Sequence, residues 1–144
     1  MPPDTLLIHI VERAPIGVVQ APDGFRLVDP AGVVIDTVPQ RPPGVPIIQL
    51  DGADKVSGAG FRSMAQVLLA LPNSVLGQVD TISAHTRDDV TLTLTGSQQH
   101  VVWGSADDSD QKARNLTLLL KVYGGKGPGE YDVSAPKQPV WHAG

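Results

Sequence analysis

Val79-Asp-Thr-Ile-Ser-Ala-His-Thr86, then Arg87-Asp-Asp89, then Val90-Thr-Leu-Thr-Leu-Thr95 is the stretch on which the fold class turns. These are two strand-like runs around a short charged turn, the second alternating apolar and polar residues with the period of a half-buried strand, which reads as a hairpin. Val90, Leu92 and Leu94 fall on one face and the threonines on the other. On the N-terminal side, Phe61, Met64, Ala65, Leu68 and Leu71 follow helical spacing and Pro72 supplies a stop. This predicts a helix from about Lys55–Gly60 to Leu71, with one face on the sheet. On the C-terminal side, His100 to Trp103 reads as a strand ended by Gly104-Ser105. A second helix follows, with Ser105 or Ser109 as N-cap, Asp107, Asp108 and Asp110 beside its positive end, and Gly124-Gly125 closing it. Ala113, Leu116, Leu119, Leu120 and Tyr123 form its apolar face.

Farther out, Ile16 to Val19, Phe25 to Val28 and Val33 to Ile35 are β-rich runs separated by Ala21-Pro22-Asp23-Gly24 and Asp29-Pro30-Ala31-Gly32, which predicts a meander. Pro39, Pro42, Pro43 and Pro46 mark an extended connector. Leu6 to Val11 is another extended run. Nothing precedes it to pair with, so residues 1–14 are expected to be the last strand of an upstream domain, and 15–144 a second domain. Tyr131 to Ser134 and Pro139-Val140-Trp141 complete the strands. The fold class expected is α+β, a mostly antiparallel sheet with two helices on one face.

The 144 residues carry 15 glycines and 13 prolines, about a fifth of the chain against a usual eighth, which excludes a coiled coil. Without cysteine, neither disulfides nor thiolate ligands enter, and the redox compartment stays open. Formal charge is −4, with no run of Lys or Arg, so nucleic-acid binding and polybasic membrane docking have little support. The longest uncharged run, Ser63 to Val79, holds Gln66, Pro72, Asn73 and Gln78 and does not read as a lipid-exposed span. Met1-Pro2-Pro3-Asp4 lacks the basic start of a signal peptide.

Ser109-Asp-Gln-Lys112 matches S-x-x-K, which in serine transpeptidases and β-lactamases sets a nucleophile one helical turn from its lysine. Neither S-D-N nor K-T-G follows, so a capping serine with a surface lysine is the plainer reading. Gly58-Ala59-Gly60 resembles a phosphate-cradling turn, but Ser63 stands where a third glycine belongs. His9, His85, His100 and His142 lie on separate elements without metal-ligand spacing. Asp107-Asp108-Ser109-Asp110 lacks the glycine and distal glutamate of a calcium loop. Gly124 to Gly129 follows a helix and precedes a strand, so it is expected to be a mobile linker and not a P-loop. No catalytic group, cofactor site or metal site is assembled by the residues alone.

Leu7-Ile-His-Ile-Val-Glu-Arg-Ala-Pro-Ile16, followed by Phe25-Arg-Leu-Val-Asp-Pro-Ala-Gly-Val33, resembles the FtsQ/DivIB family of bacterial cell-division proteins. Val45-Pro-Ile-Ile48, Val101-Val-Trp-Gly104 and Tyr131-Asp-Val-Ser-Ala-Pro136 continue the resemblance in order, the last in the form associated with actinobacterial members. The resemblance implies a single-pass plasma-membrane protein with this domain on the extracytoplasmic side, residues 1–14 being the end of a POTRA domain and 15–144 the family's β domain. It implies a scaffold and not an enzyme, joining FtsB/DivIC and FtsL partners and helping to regulate the septal peptidoglycan synthase. The alternative is a stand-alone enzyme or ligand-binding domain using Ser109 and Lys112. Ser105 departs from the enterobacterial pattern, in which a basic residue follows the glycine and helps hold the acidic partner, and Ser134 to Gln138 lacks the basic and aromatic residues of those members.

The resemblance and the character of the final strand together place expected partner binding at Ser105 and at Ser134, Ala135, Lys137, Gln138, Pro139, Val140 and Trp141. Pro139 cannot donate to a ladder and the run comes last, so a sheet edge is expected there, open to a partner's strand. Trp141 is expected either as an anchor for that partner or folded back on the core.

Overall fold

The computed structural model describes residues 14–50 and 58–144. They form an α+β structure in which nine strands make one sheet, ordered β3-β2-β1-β4-β5-β6-β7-β8-β9. The expected last strand of an upstream domain, residues 1–14, lies outside the described residues except for Ala14.

The meander is β1 (Gly17–Ala21), β2 (Gly24–Val28) and β3 (Val34–Val38), paired antiparallel in sequence order. Between Leu27 and Val28 the register shifts so that Ile35 is an extra residue on β3. The proline connector then leads to β4 (Ile47–Gln49), which lies parallel to both β1 and β5 (Val79–Ser83). The hairpin of β5 with β6 (Val90–Leu94) is antiparallel, as is β6 with β7 (Gln99–Gly104). β8 (Gly129–Asp132) pairs parallel to β7, and β9 (Val140–Ala143) closes the sheet antiparallel to β8. Five pairings are antiparallel and three parallel, and each parallel one is reached by a helix or a long connector crossing the sheet.

The two long helices are α1 (Ala59–Ala70) and α3 (Ser109–Tyr123). A third, α2 (Asn73–Leu76), was not expected; Pro72 forces Leu71 into extended backbone, and the chain restarts a single turn that seats Val75 in the core. Strand alternation decides which side is covered. Val90, Leu92, Leu94, Val101, Trp103 and Tyr131 are buried with Phe61, Met64 and Leu68 of α1 and Leu116 of α3 in one cluster.

α3 departs from expectation at its start. Its N-cap is Asp108, in left-handed backbone at φ 56°, with no side-chain cap bond, and neither Ser105 nor Ser109 occupies that position. Ser109 is the first helical residue, and its Oγ donates to Ala106 O at 2.6 Å.

Arg41 fastens the proline connector. Its Nε donates to Val45 O at 2.9 Å, and its two terminal nitrogens donate to Asp80 Oδ1 at 2.9 Å and Asp80 O at 2.8 Å. Hydrogen bonds from Arg41 first, and from Thr81, hold the Asp80 carboxyl below its ordinary range.

Gln99 opens β7 at a position where strand phase directs its side chain inward, and it is 1% exposed. Its Nε2 donates to Tyr123 O at 3.0 Å and Gly127 O at 2.8 Å, while its Oε1 accepts the Tyr131 hydroxyl at 2.8 Å. One amide thus joins the end of α3, the following loop and β8. The loop expected to be a mobile linker is therefore pinned, and Lys126 N–H donates to Tyr123 O as well. Burial pushes the Tyr131 phenol up, with the Gln99 bond pulling it the other way. Gln99→Leu keeps the volume but orphans two carbonyls and a hydroxyl, so stability in urea unfolding should fall by about 2–4 kcal/mol. A loss under about 0.5 kcal/mol would contradict this role for the amide.

Candidate functional site

The residues singled out for partner binding collect at the β7-β8-β9 end of the sheet. β9 is terminal in the sheet order, and its register with β8 runs without a bulge from Gly129↔Ala143 to Asp132↔Val140. Gly144 N–H donates to Pro128 O at 2.9 Å, which shows the direction of bonding at that residue. Along an antiparallel strand this direction alternates, so His142 and Val140 also bond to β8, and Trp141 and Ala143 present N–H and C=O to the open side. On β8, Val133 N–H donates to Val102 O at 3.0 Å, which leaves Asp132 and Glu130 facing β9 by the same alternation.

The strand differs from expectation at both ends. Pro139 stands before it, and it extends past Trp141 to Ala143. Of the two expectations for Trp141, the structure takes the second: the indole is half-buried and packs against the core. Its ring stacks on Tyr123 at 5.2 Å between centroids and 14° between planes, and lies tilted on Tyr131 at 4.7 Å. Gly129 makes this possible, because a Cβ there would overlap the indole. Exposed apolar area on β9 is left to Val140, at 40%.

Ser134, Ala135, Lys137, Gln138 and Pro139 are exposed in the loop leading to β9. Ser134 N–H and Oγ–H both donate to Asp132 Oδ1, at 3.0 and 2.5 Å, and Gln138 N–H donates to Ala135 O at 3.0 Å. Asn115 Nδ2 on α3 holds Pro136 O at 2.9 Å. Ala135 and Lys137 share an open groove with Ala106, Ser109 and Leu69. Ser105 joins the same end, because Gly104, at φ 83°, approaches Ser134.

The paired chemistry of Ser109 and Lys112 is not assembled as a nucleophile and base. The Ser109 hydroxyl accepts Trp103 Nε1–H at 3.3 Å while giving its proton to Ala106 O. Lys112, expected at the surface, is 2% exposed, and its Nζ donates to Ser105 O at 2.8 Å. Desolvation lowers its pKa, opposed by Asp108 and Asp107. The lysine therefore braces the turn that carries Ser105. The S-x-x-K spacing pointed to this turn for a chemical reason that the structure replaces with a mechanical one.

His9 lies outside the described residues, and His85 is exposed on the turn after β5. His100 Nε2 meets Glu130 Oε1 at 2.8 Å across β7 and β8, and His142 pairs in register with Glu130 from the other side. No group of three or more His, Cys, Asp or Glu among the described residues is placed to hold a metal. No helix among them is long and apolar enough to cross a membrane. Sequence reasoning missed Gln99 and Gly129. A polar residue in core phase on β7, and a glycine entering a strand two residues before a tyrosine, are the signals that would have found them.

Residues 17–134 match the model of the family described as cell division protein FtsQ/DivIB, C-terminal, so the match ends before β9. Cell division protein FtsQ of Streptomyces bingchenggensis is 37% identical over 146 residues, covering 96% of this chain and 53% of that protein. The protein of the same name from Mycobacterium leprae is 40% identical over 139 residues, covering 96% of this chain and 38% of its own. The chain thus spans about half or less of these relatives. Their genera agree with the actinobacterial form of the Tyr131 to Pro136 motif.

The contact between Gly129 and Trp141 generates a direct test. Gly129→Ala should lift the indole from Tyr123 and Tyr131, changing tryptophan fluorescence and near-ultraviolet circular dichroism. Amide exchange should speed up at Val140 and His142 while staying slow in Val90 to Leu94. Unchanged spectra and β9 exchange would show that the strand is not held by this contact.

Proposed function

The chain belongs to the FtsQ/DivIB family of cell-division proteins, and from that premise we propose that it is a non-enzymatic scaffold whose β9 edge takes up a strand from a division partner. The observation that carries this reading is the open row on β9, where Trp141 and Ala143 turn their N–H and C=O groups outward from an uninterrupted ladder. Strand addition obtains affinity from such groups and specificity from side chains beside them. Ser134, Lys137 and Gln138 supply the exposed polar rim, with Ala135 exposed among them, and Val140 the apolar contact. Trp141 acts from beneath, by holding the edge flat against Tyr123 and Tyr131.

The partner in this reading is an FtsB/DivIC-type protein with its FtsL companion, and the consequence of docking is control of the septal peptidoglycan synthase. The whole protein would be anchored in the plasma membrane by a segment outside this chain, with this domain on the extracytoplasmic face. The non-enzymatic character is supported by the Ser109 hydroxyl and the Lys112 ammonium each bonding to a backbone carbonyl. With Ser105 in place of a basic residue, and only Lys137 in the loop, backbone pairing would carry more of the affinity than charge.

Removing Trp141, or everything after Pro136, would strip the aromatic stack and is a poor test. Ala143→Pro deletes one outward N–H and leaves the bonds to β8 in place. Affinity for the extracytoplasmic segment of the DivIC-type protein from the same organism should drop by more than about 1 kcal/mol, roughly fivefold. Circular dichroism and thermal unfolding should be unchanged. Full affinity in the folded variant would sink the docking edge.

A further inference from the structure

The sheet has a second edge, β3, and it is built differently from β9. Val34 and Ile35 on it, and Val33 just before it, are exposed, at 46%, 39% and 43%. Exposed apolar residues on an edge strand invite another strand. Backbone direction follows from one bond. Val18 N–H donates to Pro46 O at 2.9 Å, so Val18 faces β4, and Leu27, its partner on β2, turns the other way, toward β3. Leu27 pairs with Asp36. Asp36 therefore bonds inward and Thr37 turns its N–H to the open side. That N–H is already taken, because Asp36 Oδ1 accepts it at 2.8 Å. One residue earlier, the extra Ile35 breaks the register and kinks the strand.

We propose that the Asp36 carboxylate, capping Thr37 N–H beside the Ile35 bulge, is a guard that keeps the β3 edge from accepting the β9 strand of a second copy of this chain. Both edges belong to one sheet, and joining β9 of one molecule to β3 of the next is a heterologous contact, which builds rings or open filaments. A chain whose β9 is open and whose β3 is apolar would extend end to end without such a block. The guard makes the sheet a docking surface with one usable end. This holds whether or not β9 takes a division partner, since the occupant excluded is the chain itself.

The test is self-association by sedimentation velocity across a concentration series, with no partner present. Asp36→Val removes the cap and suits a strand, so it should fold and associate at least about tenfold more tightly than the unaltered chain. Asp36→Asn keeps an oxygen acceptor for Thr37 N–H and should match the unaltered chain. Ala143→Pro added to Asp36→Val should return the species to the unaltered distribution. Unchanged association in a folded Asp36→Val variant overturns the guard. Association of Asp36→Asn equal to Asp36→Val overturns the cap as its cause. Persistent association in the double variant overturns β9 as the strand excluded.

Discussion

The side-chain amide of Gln99 is the constraint on which the β7-β8-β9 end of the sheet depends. Its three bonds tie the start of β7 to three successive stretches 24 to 32 residues later: the last turn of α3, the glycine-rich loop, and Tyr131 on β8. Leaving such a buried group unpaired costs more than the net gain from pairing it, so the bonds select one arrangement of these elements over others of similar apolar burial. Tyr131, fixed in this way, offers its ring to Trp141, and Trp141 lies over Gly129. The order of dependence runs from a polar contact in the core, through two aromatic rings, to the backbone of the final strand.

A pre-formed edge is what strand addition requires. A terminal strand that frayed in the free protein would charge its ordering entropy against binding, whereas one clamped by a stacked indole does not. In the proposed docking the tryptophan would contribute to recognition while turned away from the partner. At the other end of the sheet, backbone groups that could serve the same purpose are broken in register at Ile35 and capped at Thr37. The two edges of one sheet are thereby differentiated by a glycine under an aromatic ring and by a single carboxylate.

Much of this was legible in the residues. β6 carries a clear period of two and both long helices one of 3.6, β5 and β7 read as strands around them, and the resemblance led to the family that the comparisons establish. β4 was not legible, because Ile47–Gln49 is three residues long, follows Pro46, and is fixed by parallel neighbours distant in sequence. The start of α3 was misjudged because serines were preferred as caps, while the chain enters through left-handed backbone at Asp108 and uses Lys112 beneath the turn. Trp141 had two readings that sequence could not separate; the choice was made by the missing side chain at Gly129, twelve residues earlier. The bonding direction at each edge depends on register, which local pattern does not carry.

In the proposed docking, Trp141 and Ala143 offer backbone groups to a partner strand from a pre-formed edge. Backbone amide exchange of these two residues, followed in the free chain and in complex with the extracytoplasmic segment of the DivIC-type protein, tests it most directly. The account predicts rapid exchange at both in the free chain, beside slower exchange at His142, and strong protection of both in the complex. Exchange at Trp141 and Ala143 that stays rapid in a saturated complex would contradict it.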